Sequence, residues 1–269
     1  FTTLPESKER SPVAYATHFN SDHELPVISI QVPPPDLFNY KTGIYVVGAS
    51  EGVHDYYYFK EKWWEMPSNY RQRGKEWKRT AFFQFFEKNK PVYQSDATIR
   101  IHGNATRAYP QKSMRLEKMG TKLFNFDFFY HGADSKYESL ILRNSGNDWD
   151  RTLFADGLIH AIASPMNIEV MADRPCIVYI NGQYWGIHNL RERINEDNLA
   201  LKYSVSKTDI AFVEDDRLSC GSEKDLNDFY ALAGLAQKSG NETGLPENIS
   251  EKINLEALID YLSVQLYFA

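Results

Sequence analysis

Alternating apolar and polar positions predict β-strands along the chain as far as Glu192. Successive side chains of a strand point to opposite faces, so a two-residue period indicates one buried face. We expect strands in the following segments: Pro26–Val32, Gly43–Val47, Thr80–Glu87, Ala97–His102 and Lys112–Leu116. The last two should pair antiparallel across a glycine-containing turn.

Two further strands flank Asn181-Gly182 in the segment RPCIVYINGQYWGIHNLRE. An Asn-Gly pair between two β-rich runs is the strongest short-range signal for a hairpin with a type I′ turn. We therefore predict a tight hairpin in the same lobe as the earlier strands.

Apolar positions with a 3.6-residue period predict three helices. The first follows Asp150, which we interpret as its N-cap residue. Its apolar stripe consists of Leu153, Phe154, Gly157, Leu158, Ala161 and Ile162. The second begins at a capping box of Ser222 and Asp225 and ends near Gly240. Asn254 caps the third, whose apolar side carries Leu255, Leu258, Ile259, Leu262 and Leu266.

Strands dominate before Glu192 and helices after it, which predicts the α+β class in a two-lobe arrangement. We interpret residues 1–24, which are polar, as a linker or the tail of a preceding domain. Residues 25–192 would form a β-rich lobe with one helix and an aromatic insertion, and residues 193–269 would begin a helical lobe.

Composition narrows the class of protein only slightly. Of the 269 residues, 42% are hydrophobic and 25% are charged, which is typical of globular proteins. The net charge of −6 gives no overall attraction to nucleic acid or to an anionic membrane. No apolar run approaches the roughly 20 residues of a membrane span. Cys176 and Cys220 have neither metal-type nor redox-type spacing, and a disulfide between them is permitted but not implied.

Lys112 raises the first question about function. The two-residue period places it on the same face as the apolar residues two and four positions later, where a lysine must reach water, a carboxylate or an anion. Gly103 and Asn104 allow a tight turn before it, and Arg107 adds a second cation. Such a unit can cover phosphates with backbone N–H groups and one ammonium. A solvated cationic hairpin explains the same pattern equally well.

Carboxylates near the first helix supply further candidates. Asp148 and Asp150 have the positions of turn and N-cap residues. Asp156 lies inside the helix, where aspartate has a poor propensity. It is therefore either a counter-ion for Lys112 or a residue of the solvated face.

Arg191 and Glu192 end a strand at the junction of the two predicted halves, where ligand clefts often lie. An exposed ion pair at the strand end is the alternative. No set of His, Cys and Glu residues has zinc-ligand spacing, so we predict no metal site in this chain. The G-x-S-x-G motif, the Walker-type loop and the dinucleotide fingerprint are also absent from the sequence.

Three segments in series resemble the CotH kinase family of spore-coat proteins. They are IRIHGNATRAYPQKSMRL, LILRNSGNDWDRTLFADGLI and VYINGQYWGIHNLRERINEDNL, and their order and spacing fit the family from Leu25 to the last residue. The start LPVISI…GIYVVG and the strand FFQFFE resemble the bacterial cell-surface branch. This resemblance implies an extracellular or cell-surface protein.

The resemblance implies a kinase-like fold with ATP and Mg or Mn between a β-rich and a helical lobe. The turn Gly103–Arg107 resembles the segment that covers the phosphates, and Lys112 resembles the lysine that pairs with them. Asp156 is the aspartate of a T-x-F-x-D stretch and joins Lys112 as an expected catalytic residue. Arg191 and Glu192 would border the adenine pocket. The implied reaction transfers the ATP γ-phosphate to Ser or Thr of a protein substrate.

The chain departs from the family pattern in two ways. Ala155 stands where many members have an arginine, which removes one expected cationic contact. The family's catalytic and metal-binding aspartates, in N-x-D and D-x-D stretches, are expected after the final SVQLYFA. We therefore expect a polypeptide of only these residues to lack a metal site and kinase activity. Its helical lobe should expose apolar residues that invite association: Leu258, Leu262 and Leu266.

The alternative is a protein of a different class. A non-catalytic surface protein can use the same fold to bind glycan or protein. The aromatic segment Tyr56–Trp64 and the loss of arginine at Ala155 favour this alternative.

Overall fold

The computed structural model describes residues 16–19, 22–50, 62–214, 217–239, 249 and 251–268. Most of the predicted linker, 1–24, and most of the aromatic segment Tyr56–Trp64 lie outside the described residues. Trp63 is described, and its ring stacks on that of Tyr109 with 5.7 Å between centroids. The described end of the aromatic segment is therefore packed against the fold.

Seven of the eleven strands in the described residues close into a barrel. The strands are β1 Val27–Gln31, β2 Arg79–Glu87, β3 Lys90–Ile101, β4 Met114–Lys118, β5 Phe124–Asn125, β6 Lys136–Tyr137, β7 Ser139–Arg143, β8 Asp173–Ile180, β9 Gln183–Arg191, β10 Phe212–Glu214 and β11 Arg217–Cys220. The order around the barrel is β1, β2, β3, β4, β7, β9 and β8, and parallel pairing of β8 with β1 closes it. The pairs β5–β6 and β10–β11 form separate two-stranded sheets.

Helices follow and flank the barrel strands. They are α1 Pro34–Phe38, α2 Ala155–Ala163, α3 Glu196–Tyr203, α4 Glu223–Ser239 and α5 Leu255–Phe268. The chain is thus α+β, as predicted. The strands form a closed barrel, and the described residues do not divide into two clearly separate lobes.

The barrel interior holds the main apolar core. Among the side chains that fill it, the following are no more than 1% exposed: Ile28, Ile30, Phe83, Phe85, Ile99, Leu116, Leu140, Val178 and Leu190. Full burial of one such side chain stabilises the fold by roughly 1.5–3 kcal/mol. Because the barrel is closed, each of its strands is paired on both sides, and none presents a free edge.

The predicted antiparallel pair on either side of the glycine turn is confirmed with different bounds. β3 pairs with β4, and Ile101 lies opposite Met114. Lys112 precedes β4, although the N–H of His102 still donates to Ser113 O at 2.8 Å. The two-residue alternation therefore continues through Lys112.

The prediction of a strand at Gly43–Val47 is wrong. These residues fold back on helix α1, because Ile44 N donates to Asp36 O at 3.0 Å and Tyr45 N donates to Leu37 O at 2.9 Å. Their backbone donors are thus used by the helix instead of a neighbouring strand. Ile44 is 2% exposed and belongs to the barrel core.

The hairpin at Asn181-Gly182 is confirmed. The two residues have φ values of 51° and 78°, and positive φ at both central positions is the requirement of a type I′ turn. The turn joins β8 to β9 within the barrel. Asn181 Oδ1 also accepts the N–H of Val32 at 2.9 Å, which attaches the turn to the end of β1.

Helix α2 begins later than its predicted cap. Asp148 Oδ2 accepts the N–H of Ala155, the first helical residue, at 3.1 Å. Asp150 stays exposed in the turn that precedes the helix, so its prediction as N-cap is wrong. The reason is the additional turn at residues 149–153, which delays the helix and leaves Asp148 beside its first N–H groups.

The predicted apolar stripe of α2 has the helical period but faces outward. Phe154, Leu158 and Ile162 are 54%, 47% and 48% exposed. The side facing the barrel carries Asp156, which forms ion pairs with β7 and β9, and Ala163, which is buried. The charged residues of the strands beneath the helix therefore determine which side of the helix faces the barrel.

Helices α4 and α5 have the predicted caps. Ser222 N donates to Asp225 Oδ2 at 2.8 Å and Asp225 N donates to Ser222 Oγ at 3.4 Å, which is a capping box. Asn254 Oδ1 accepts the N–H of Ala257 at 3.1 Å. Helix α5 exposes large apolar side chains, as expected: Leu258, Leu262 and Leu266. No described helix has the length and apolar character needed to cross a membrane.

Candidate functional site

The turn between β3 and β4 is organised by a buried arginine. Gly103 has a φ of 102°, which only glycine adopts readily, and the 3-10 turn Ala105–Ala108 follows it. Arg107 Nε donates to Gly103 O at 2.6 Å. Its Nη1 donates to the carbonyl oxygens of Tyr70 and Gln72 at 3.0 and 3.1 Å. The guanidinium thus binds the turn to a neighbouring segment through backbone carbonyl groups.

Lys112 is also held by carbonyl groups of the turn. Its Nζ donates to Arg107 O at 2.9 Å and to Tyr109 O at 2.8 Å, and it lies 3.9 Å from the centroid of the Tyr70 ring. Lys112 is 5% exposed, and burial lowers its pKa to about 8. The expected ion pair with Asp156 is wrong, because strand parity directs Lys112 toward the barrel interior whereas Asp156 lies against the outside.

Arginines lie in register across the outer face of the barrel. Arg100 of β3 is opposite Arg115 of β4, which is opposite Ile141 of β7. Ile141 is opposite Arg191 of β9, which is opposite Asp173 of β8. Since the alternate positions of these strands fill the core, this row belongs to the outside of the barrel. We call the outward-facing side of β3, β4, β7, β9 and β8 the outer face.

The carboxylate of Glu117 forms ion pairs with several cations on one side of the outer face. Glu117 Oε1 lies 2.5 Å from Arg115 Nη2 and 3.3 Å from Arg100 Nη2. Glu117 Oε2 lies 2.6 Å from Lys78 Nζ. Arg115 is only 5% exposed, so its ion pair with Glu117 is the buried part of this group.

Asp156 provides the second shared carboxylate. Its Oδ2 forms an ion pair with Arg191 Nη1. The same oxygen lies 2.7 Å from Arg143 Nε. The contact with Arg143 is an ion pair without a hydrogen bond from Nε. Its Oδ1 is 3.7 Å from His160 Nε2. Arg191 is 1% exposed, and its Nε and Nη2 have no hydrogen-bond partner among the described residues.

Asp173 completes the outer face beneath helix α2. Burial raises the pKa of its carboxyl, while nearby Arg191 lowers it and Asp156 raises it further. Its Oδ1 has no hydrogen-bond partner in the described part of the chain. A Cβ at Gly157 would lie 2.1 Å from Asp173 Oδ2, so any larger residue here requires the Asp173 side chain or the helix to move.

The charges of several arginines converge on His102. Burial is the largest cause that lowers the pKa of His102 to about 4, followed by Arg193, Arg107, Arg143 and Arg100. His102 is therefore uncharged at neutral pH. The end of the outer face next to the turn, where His102 lies, is therefore a partly buried region of positive potential.

A cavity of about 930 Å³ lies at the end of β9. Its walls are the 131–137 connection, residues 192–194 and helix α3. Glu192 Oε1 lies 3.5 Å from His131 Nε2 across one wall. Arg193 lines the cavity and also contributes to the positive potential described above, so the cavity and the outer face share this residue.

The structure places the predicted site residues in two groups. The first belongs to the turn between β3 and β4: Gly103, Asn104, Arg107 and Lys112. The second lies on the outer face or at the cavity: Asp156, Arg191 and Glu192. Four arginines of the outer face and the cavity escaped prediction: Arg100, Arg115, Arg143 and Arg193. Strand alternation was the available signal, since it gives Arg100 the opposite face from the apolar residues on either side of it.

The described residues contain no group of three or more His, Cys, Asp or Glu side chains that could hold a metal ion. Cys176 and Cys220 are both free thiols. The acidic side chains of the outer face are instead used by arginines.

The fold and the site define an α+β protein with a closed barrel, a cationic outer face and an adjoining cavity. Residues 99–269 match the CotH kinase protein family, and the chain therefore belongs to this family. The matched region begins within β3 and includes the turn, helix α2 and the Asn181 hairpin. No curated protein matches the chain.

Proposed function

We propose that this protein is a CotH-type kinase that transfers the γ-phosphate of ATP to Ser or Thr of a protein. Membership of the family supports this class of reaction. The observation that carries the proposal is the cavity at the end of β9, because Arg193 joins it to the cationic outer face. In this proposal residues 25–192 are the first lobe of a two-lobe kinase fold and residues 193–269 begin the second.

The cavity has a suitable size for a nucleotide. Small-molecule sites usually measure about 300–1,000 Å³, and this cavity measures about 930 Å³. Its walls combine apolar side chains, such as Ile194 and Leu199, with backbone groups of residues 192–194. This combination suits a base, which needs an apolar surface and a few hydrogen-bonding groups.

The outer face suits the phosphates of the same nucleotide. Phosphoryl transfer depends mainly on positioning the reactants and on offsetting negative charge. The arginines around His102 supply positive charge in a partly buried region, where electrostatic interactions are stronger than in water. A nucleotide with its base in the cavity would direct its phosphates past Arg193 toward this region.

ATP normally carries Mg²⁺ or Mn²⁺, which offsets phosphate charge when it is bound. The described residues offer no side-chain group that fits such an ion, and we assign no step of the reaction to a metal. The resemblance to the bacterial cell-surface branch supports an extracellular or cell-surface location as part of the proposal.

Calorimetry with ATP tests the proposal. Ala200 lines the cavity, so Ala200→Trp should fill part of it and lower the affinity for ATP roughly tenfold or more. Ala161→Trp, on the exposed side of α2, is the matched control and should bind like the wild type. Transfer of radiolabelled phosphate to a generic protein acceptor, measured with a chain that includes the family's N-x-D and D-x-D aspartates, then tests the reaction. A wild-type protein that binds no ATP, or an Ala200→Trp variant with normal affinity, would contradict the proposal.

A further inference from the structure

We propose that Arg100, Arg143 and Arg193 bind the phosphates, and that Lys112 is a positioning residue that holds the turn. The inference rests on the proposed nucleotide site and assigns the residues that contact its anion. It differs from the assignment implied by family resemblance, in which Lys112 pairs with phosphates.

Burial and hydrogen bonding shield the ammonium of Lys112. Two of its three N–H groups bind the carbonyl oxygens of Arg107 and Tyr109, and the Tyr70 ring covers it at 3.9 Å. Because Lys112 is only 5% exposed, a phosphate oxygen could reach this ammonium only by displacing those carbonyl groups or the ring. Buried carbonyl groups that lose their donor are destabilising, so the exchange is unfavourable. Lys112 therefore fixes the path of the turn.

Arg107 is occupied in the same way. Its Nε and Nη1 bind three carbonyl oxygens, and it is 5% exposed. Both cations that the resemblance assigns to phosphates are thus internal supports of the turn. A phosphate site must use other cations.

The outer face has more cations than its carboxylates can offset. Four arginines of the outer face, with Arg193 and Lys78 beside it, face three carboxylates, and two of these carboxylates already contact more than one cation. The third, Asp173, has a raised pKa. Arg193 has no carboxylate within ion-pair distance among the described residues. Clustered like charges repel one another, and a bound polyphosphate would offset this repulsion.

Exposure decides which of the five arginines can reach a ligand. The side chains of Arg115 and Arg191 are 6% and 1% exposed, so they lie beneath the surface. Those of Arg100 and Arg143 are 24% and 34% exposed. Arg193 is half-buried and lines the cavity. The charges of these three accessible arginines, together with that of Arg107, also lower the pKa of His102.

The test measures the binding of inorganic triphosphate and of ATP in metal-free buffer, by calorimetry at several salt concentrations. Arg100→Gln, Arg143→Gln and Arg193→Gln should each lower the affinity roughly tenfold, because each removes charged hydrogen bonds. Each should also weaken the salt dependence of binding, since it removes a cation that contacts phosphate. Arg217→Gln, an exposed arginine of β11, is the matched control and should match the wild type.

Lys112→Met separates a positioning role from a direct contact. It should leave the salt dependence of triphosphate binding unchanged, even where disorder of the turn reduces the affinity. Circular dichroism checks its folding. The wild-type affinity for ATP between about pH 7.5 and pH 9.5 provides a second measurement that needs no variant, because the terminal phosphate of ATP is already ionised in this range, whereas inorganic triphosphate still titrates. We expect it to stay constant, because arginines remain charged across this range.

Three results would overturn this assignment while leaving nucleotide binding intact. One is a Lys112→Met protein whose binding loses salt dependence, and another is a set of arginine variants that bind triphosphate like the wild type. A wild-type affinity that falls as Lys112 deprotonates would have the same consequence. Failure of the wild type to bind both ATP and triphosphate would instead overturn the proposed function.

Discussion

The turn at Gly103 and the outer face of the barrel both contain several cationic side chains, but the partners of these side chains differ. In the turn, Arg107 and Lys112 donate to backbone carbonyl groups that belong to the fold itself. On the outer face, arginines share the carboxylates of Glu117 and Asp156. Carbonyl groups cannot leave without breaking the turn, whereas a charged ligand can add to a set of shared ion pairs. The partner, and not the residue type, therefore distinguishes a structural cation from one that can bind an anion.

The largest loss of stability should come from removing the most buried arginine of the outer face. Arg191→Met removes a fully buried partner of Asp156 and the cation that most lowers the pKa of Asp173, so the free energy of unfolding should fall by about 1.5–3 kcal/mol. Arg143→Met removes a more exposed partner of the same carboxylate and should cost about 1 kcal/mol or less. Urea titrations of both variants measure the difference. Equal losses would show that burial does not distinguish the two arginines.

Each region also contains a histidine with a lowered pKa, and both should make the fold sensitive to acid. His102 lies on the outer face and His188 contacts Lys112 O, and burial is the main cause that lowers both pKa values from 6.5 to about 4. The unfolded chain then binds more protons than the folded chain between these pH values. Stability is therefore complete above pH 6.5 and is lost as the pH falls toward 4, by at most about 3 kcal/mol for each histidine. Urea titrations across this range measure the loss, and a flat profile would contradict it.

Salt should separate the two histidines. Four arginines help to lower the pKa of His102, whereas the remaining influences on His188 come from backbone hydrogen bonds. Raising the salt concentration to about 0.5 M screens the arginines and should raise the pKa of His102 more than that of His188. NMR titration of the two imidazole rings provides the comparison. A similar response of both rings would argue against a positive potential at the outer face.

Helix α2 should tolerate no side chain where it meets the outer face. Gly157→Ala would place its Cβ 2.1 Å from Asp173 Oδ2, so the Asp173 side chain or the helix must shift and the free energy of unfolding should fall by about 1–3 kcal/mol. Gly234→Ala in α4 is the matched control, because nothing lies within 4 Å of its added Cβ. It should stabilise the protein by about 0.5–1 kcal/mol. Thermal unfolding of the two variants should shift in opposite directions, and a shared direction would disprove the close contact.

The smallest effect concerns the start of the same helix. Asp148→Ala removes the acceptor for Ala155 N and Thr152 N, so the Tm should fall slightly. Asp150→Ala removes no such contact in the described residues and should leave the Tm unchanged. Parallel thermal unfolding of the pair distinguishes the two aspartates, and a larger change for Asp150→Ala would restore it as the cap.

Local chemistry made several elements predictable from the sequence. Asn181-Gly182 determines its own turn through the two positive φ values, and the caps at Ser222 and Asn254 require only neighbouring residues. The side of the strand on which Lys112 lies was also predictable, because the two-residue alternation depends only on the backbone.

The partners of the charged residues depend on distant parts of the chain. Lys112 meets carbonyl groups because the turn curls beneath it, a geometry that no spacing encodes. Helix α2 turns its apolar stripe outward because Arg143 and Arg191, from two other elements, attract Asp156. The strand expected at Gly43–Val47 failed for a similar reason, since helix α1 takes its hydrogen bonds.

The most direct test of the distinction between the two regions follows the ionisation of Lys112 by NMR of its side-chain carbons, with and without saturating inorganic triphosphate. We predict a pKa of about 8 that the ligand does not change, because the ammonium binds carbonyl groups of the turn and not phosphate. A contact with phosphate would favour the charged form and raise the pKa. A rise toward or beyond the ordinary value of 10.5 on addition of triphosphate would contradict our assignment.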